Sequence, residues 1–200
     1  ALAVLDVTTP ERPRLLGPLV GEGDSVVADG NLVCVGVFDD GIRLVDATDP
    51  AHPVETAFLH EPGGWQAYAL ALSDGYLWVG NGDELRIVAL ADPASPRVIA
   101  RVPTADTYER SGTPRADVAL SGTHIVVTGR TDLWVYDAAT PTAPVRLGGV
   151  AVHGYIEQVA VADGLAVLAD HDGGLRTVDL ADPRSPKLLA LLTARRAGGI

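Results

Sequence analysis

The chain has 200 residues, 47% of them hydrophobic, one cysteine and a formal net charge of −11. That composition supports a sizeable buried core and excludes a disordered chain, while the acidic excess opposes nucleic acid and anionic membrane surfaces, which attract basic patches. Cys34 on its own excludes an internal disulfide framework or a cysteine metal site, and no apolar run reaches the roughly 18 residues of a membrane helix.

Leu2 to Val7 is an apolar run containing Asp6, and Pro10 and Pro13 follow before a second strand from Arg14 to Val20. No basic region precedes this opening, so no signal peptide is expected within these residues. The same twelve-residue phrase returns at Ile42 to Pro53, Leu85 to Pro96, Leu133 to Pro144 and Leu175 to Pro186. Its first half has the period of a half-buried strand. Its second half stops that strand, because proline offers no N–H and fixes φ, and the chain turns a rigid corner into an edge strand.

The first proline of each pair falls 40, 43, 48 and 42 residues after the one before it. Periods of this size with only strands inside point to propeller blades. From Asp24 the expected strands are Ser25–Ala28, Leu32–Val37, the phrase strand and Val54–Leu59, with turns at Asp29-Gly30 and Asp39-Asp40-Gly41. The next unit reads Leu70–Ser73, Leu77–Gly80, Leu85–Leu90 and Arg97–Val102, with Asp74-Gly75 and Asn81-Gly82-Asp83 supplying the positive φ of tight hairpins. A connection from Pro103 to Ala116 accounts for the 48-residue spacing. The third unit turns at Ser121-Gly122 and at Gly129 to Asp132, and the fourth at Asp163-Gly164 and Asp170 to Gly174.

The expectation is an all-β partial propeller of four complete four-stranded blades and a half blade. Its boundaries are 1–20 for an outer half blade, 24–60, 67–103, 115–151 and 157–193 for blades, and 194–200 for the start of a truncated next blade. Small inner-strand residues, Ala69 to Ser73 and Val159 to Ala162, suit strands converging on an axis. The core should lie between neighbouring sheets, filled by Leu44, Ile87, Val126, Val135 and Val167. Cys34, in mid-strand, reads as a small buried hydrophobe.

These residues resemble the LVIVD-repeat propellers. The clearest copies of that repeat are Leu44-Val45-Asp46 with Asp49-Pro50-Ala51-His52-Pro53, and Leu175 to Asp179 with Asp182-Pro183-Arg184-Ser185-Pro186; the inner-strand phrase appears as Asp117 to Gly122. Ala89 replaces the strand aspartate, Thr9 and Thr140 replace the corner aspartate, and Gln158 and Ala69 stand where the inner strand would begin with aspartate, which argues against a required catalytic ring of aspartates. The resemblance implies a bacterial or archaeal protein, extracellular or at the cell surface, with a binding or scaffolding role and no enzymatic activity.

The repeated Asp46, Asp137 and Asp179, and the corner residues Asp49, Asp92 and Asp182, are expected to accept backbone N–H bonds from the turns they begin. Asp170-His171-Asp172 has metal-ligand chemistry but lies on one hairpin, so no metal is expected. His52, His60, His124 and His153 show no H-E-x-x-H pairing, and no nucleophile elbow, phosphate loop or dinucleotide fingerprint is present, so neither catalysis nor a cofactor is expected. Asp24, Asp117 and Glu157 would begin inner strands on one face, and a carbohydrate-active enzyme, a hydrolase or lyase using such acids at the channel mouth, is the alternative. The binding site is expected on the connections that lead into the inner strands, where the repeat varies: Trp65, Gln66, Tyr68, Arg110, Arg115, His153, Tyr155 and Glu157. Aromatics beside arginine favour a protein or glycan partner, although Trp65 and Tyr155 equally suit a role as plugs between blades. A purely structural module of a larger surface protein is the third reading.

Overall fold

The computed structural model describes residues 2–19, 23–37, 40–60, 67, 69–80, 84–104, 117–129, 131–171 and 173–193. The first sheet pairs β1 (Leu2–Asp6) with β2 (Arg14–Leu19). Four meanders follow, each a four-stranded antiparallel sheet in chain order. They are β3 (Ser25–Asp29), β4 (Leu32–Val37), β5 (Gly41–Asp46) and β6 (Val54–Leu59); β7 (Ala69–Ser73), β8 (Tyr76–Gly80), β9 (Glu84–Ala89) and β10 (Arg97–Pro103); β11 (Asp117–Ser121), β12 (His124–Thr128), β13 (Asp132–Asp137) and β14 (Val145–Ala151); and β15 (Ile156–Ala162), β16 (Leu165–Asp170), β17 (Gly174–Asp179) and β18 (Lys187–Leu192). The described residues form no helix, and hence none long and apolar enough to cross a membrane.

Neighbouring first strands, β3 with β7, β7 with β11 and β11 with β15, pack against one another, which places them innermost and fans the sheets outward as propeller blades. Three apolar clusters lie between successive four-stranded sheets, so the core is divided among blade junctions. Leu44, Ile87, Val126 and Val135 are buried there as expected. Val167 is only half-buried, because its face of β16 has no described sheet against it, and β15 is more exposed than β7 for the same reason. Cys34 is fully buried, and burial pushes its thiol up to about 12. It is held protonated and unreactive at neutral pH.

The turns use the chemistry their residues offer. Asp74-Gly75 and Asp163-Gly164 both adopt positive φ at each position, the geometry that matches the twist of a two-residue hairpin. Asp46 Oδ1 accepts the Thr48 N–H at 2.8 Å, and Asp137 and Asp179 accept those of Ala139 and Ala181 at 2.9 Å. At the corners, Asp49, Asp92 and Asp182 accept the N–H two residues on at 3.0 Å. These bonds give an acceptor to N–H groups that leave the sheet ladder at the corner.

Every outer strand carries a bulge opposite the phrase strand. Just beyond it stands a small residue in all five sheets: Gly17, Ala57, Ala100, Gly148 or Ala190. For the two glycines the reason lies in the next blade. A Cβ on Gly17 would lie 2.6 Å from the Ala51 carbonyl oxygen, and one on Gly148 would lie 2.5 Å from that of Arg184. The proline corners at Ala51 and Arg184 therefore seat their backbones against the small residue of the preceding outer strand.

Candidate functional site

The connection into β15 is fixed by its backbone before any side chain is considered. The Val152 N–H donates to the Thr131 carbonyl at 2.7 Å, and His153 then takes a φ of 48°, the left-handed region that only a well-anchored non-glycine residue holds. Asp170, at the end of β16, is buried beneath this bend. Its Oδ2 accepts from Arg176 Nε at 2.8 Å, and its Oδ1 accepts the Tyr155 N–H at 3.1 Å. Arg176 Nη2 also lies 2.7 Å from Asp170 Oδ2 and donates to the His153 carbonyl at 3.1 Å. One carboxylate and one guanidinium thus clamp residues 153–155 from below, each satisfying the other's charge away from water. Gly154 is required here, since a Cβ would run into the Asp170 carboxylate.

The clamp presents a small polar and aromatic patch. The Tyr155 ring meets His171 edge-on with centroids 5.5 Å apart, and His171 Nδ1 lies 3.0 Å from Glu157 Oε1. The His171 N–H donates to the Tyr155 carbonyl at 2.9 Å, tying the β16–β17 hairpin to the connection. His153 is exposed, while Tyr155 and Glu157 are half-buried.

Of the eight residues expected to form the site, the structure brings together His153, Tyr155 and Glu157. Trp65, Gln66, Tyr68, Arg110 and Arg115 lie outside the described residues. Sequence reasoning overlooked His171, Asp170 and Arg176 as members of this cluster. A signal for Arg176 was present, because arginine recurs at the third position of the phrase strand as Arg43, Arg86 and Arg176. The metal reading of Asp170-His171-Asp172 meets two engaged side chains, Asp170 with Arg176 and His171 with Glu157, while Asp172 lies outside the described residues. Among the described residues no three His, Cys, Asp or Glu side chains gather as a metal site.

Asp117, one of the acids that an enzymatic reading draws on, joins two blades. Its Oδ2 accepts the Val159 N–H of the next inner strand at 2.7 Å, and its Oδ1 accepts its neighbour Val118 at 2.9 Å. Burial pushes its carboxyl above the ordinary 3.8, against the lowering pull of these two N–H groups. Ser25 makes the corresponding link two junctions earlier, donating its hydroxyl to the Ala67 carbonyl at 3.0 Å.

The repeat signature known as LVIVD matches residues 20–58, 64–104 and 153–192. The chain belongs to the LVIVD repeat family. The stretch between the second and third matches holds β11–β14, which keeps the four-stranded form outside the matched ranges. No curated protein matches this LVIVD chain. Among solved structures, a Lactobacillus plantarum protein superposes with a TM-score of 0.80 at 12% identity, covering 99% of this chain and 64% of that one. The periplasmic gluconolactonase of Pseudomonas aeruginosa gives 0.70 at 16% identity, with 96% and 62% covered. A computationally designed protein, Ika8, gives 0.62 at 16% identity, with 89% and 52% covered. The LVIVD chain thus spans less than two thirds of these structures, and at such identities the likeness establishes the shared fold alone.

Proposed function

We propose that this chain is a noncatalytic binding or scaffolding module that recognises protein or glycan at the cell surface or outside the cell, through the face carrying the connections into the inner strands. The observation that supports it best is the Asp170–Arg176 clamp. It fixes a bend bearing His153 and Tyr155 beside His171 and Glu157, so that ordering of the contact surface is completed before a partner arrives. Aromatic and imidazole rings beside a carboxylate suit hydroxyl-rich glycans and protein surfaces alike. The acid–base alternative is weakened by Asp117, whose two oxygens both accept backbone N–H groups.

The test is binding to a glycan array and to the envelope fraction of the producing cells, with Tyr155→Ala and His171→Ala as surface variants and Asp170→Ala as the clamp variant. The surface variants should lose binding at unchanged melting temperature. Asp170→Ala should lose both binding and stability, by about 3–5 kcal/mol for a broken buried pair. Retained binding in both surface variants, or a fall in stability that accounts for the lost binding, would reduce Tyr155 and His171 to packing residues.

A further inference from the structure

After the phrase strand of each four-stranded sheet, β5, β9, β13 and β17, one residue donates its N–H to the turn of the first hairpin in the same sheet. Ala47 bonds to Asn31, Leu90 to Gly75, Ala138 to Thr123 and Leu180 to Gly164, at 2.7–2.9 Å. The shared bond puts the four side chains at one equivalent place. Leu90 and Leu180 are buried in the clusters that their sheets form with the preceding ones. Ala138, which faces the β7–β10 sheet, has only a methyl group to offer there.

Beside Ala138 lies a cleft of ≈ 350 Å³, in the range of small-ligand pockets. Its walls include Tyr76, Trp78 and Ile125 beside Ala138. Tyr76 and Trp78 are particular to this junction: at the same register β4 has Leu32 and Cys34, β12 has His124 and Val126, and β16 has Leu165 and Val167. The cleft opens at the end of the blades opposite the 153–157 patch, because Ser73 ends β7 and Asp74 follows it while that patch leads into the start of β15. Asp74 is exposed, with the Ser73 hydroxyl donating to its Oδ2 at 2.7 Å, and among the described residues the lining contains no lysine or arginine.

We propose that this cleft is a second binding site, which takes a leucine-sized aliphatic side chain presented by a cationic segment of a partner protein. The fold itself shows the fit, since Leu90 and Leu180 fill the equivalent places at the two flanking junctions. The Asp74 carboxylate and the chain's charge of −11 select the sign of the flanking charge. The site is independent of the 153–157 patch and lies on the other face.

Leucinamide, an isobutyl group joined to a positive amine, is the minimal probe, and saturation-transfer NMR observed on its methyl groups reads contact with the 200-residue chain. Saturable transfer is expected with leucinamide and none with glycinamide, which has the charge but no aliphatic group. Ala138→Leu should abolish transfer while holding or raising the melting temperature, because it installs the side chain of the neighbouring repeats. Asp74→Asn, or uncharged N-acetyl-leucinamide on the parent chain, should weaken binding about two- to fivefold, the worth of one exposed ion pair. Tyr155→Ala should leave transfer unchanged, which separates this site from the other face. Absence of saturable transfer, equal transfer to the Ala138→Leu chain, or a marked loss of stability in that variant would overturn the proposal. Binding of methyl glucoside in place of leucinamide, lost in Ala138→Leu, would overturn the peptide assignment and make the cleft a sugar site.

Discussion

Asp117 sits where two effects on a carboxyl oppose each other. Burial disfavours its charge, two N–H donors favour it, and burial prevails, so its folded pKa lies above 3.8. A raised value means that the native state holds the proton more tightly than the unfolded chain. The group's contribution is complete below the unfolded value and is lost as pH climbs through the folded one. Asp117→Asn keeps the shape and removes the titration, at a cost of about 1–3 kcal/mol for one N–H left without its acceptor. In urea unfolding, the stability advantage of the parent chain over Asp117→Asn should therefore be larger at about pH 3.5 than at about pH 7.5. An advantage that grows with pH would show the two hydrogen bonds outweighing burial.

At the scale of strands, the small residue beyond each bulge makes a prediction that runs against strand propensity. Valine favours strands and glycine does not, yet Gly148→Val should cost about 1–3 kcal/mol, because its Cβ would press on the Arg184 backbone and neither strand nor corner can yield cheaply. Ala190→Val, on the exposed β18, should stay within about 0.5 kcal/mol. Equal melting temperatures for the two variants would remove the corner from the explanation. The contrast also shows what could be read from the residues. The phrase, its prolines and the Asp-Gly turns act within a few residues of one another, so strand order and turn chemistry were legible. Gly148 against Arg184 and Ala138 against Trp78 depend on how one blade meets the next, and the Asp170–Arg176 clamp depends on where a connection crosses it. Such relations leave no local pattern, so the sequence indicated which face varies and did not reveal the clamp beneath it or the cleft opposite.

For the whole molecule, the decisive comparison is between equivalent faces of successive blades. Leu133 and Val135 of β13 are wholly buried by the sheet that follows, whereas their counterparts on β17, Leu175 and Thr177, are not; Leu175 is 43% exposed and Leu192 beside it 68%. At the other end Leu5 is 51% exposed, although its counterparts Val45, Val88, Tyr136 and Val178 are all buried. Two apolar faces of different shape, each built to meet a blade, favour head-to-tail contact between copies over a symmetric pair. These 200 residues in isolation should therefore show a mass that rises with concentration in light scattering. Leu175→Lys with Leu192→Lys should shift the distribution towards monomer without lowering the melting temperature of the single chain, because both side chains are already wet. A concentration-independent monomer for the parent chain would mean that the terminal faces are covered within one molecule, and the apolar surface at Leu175 and Leu5 would then need another account.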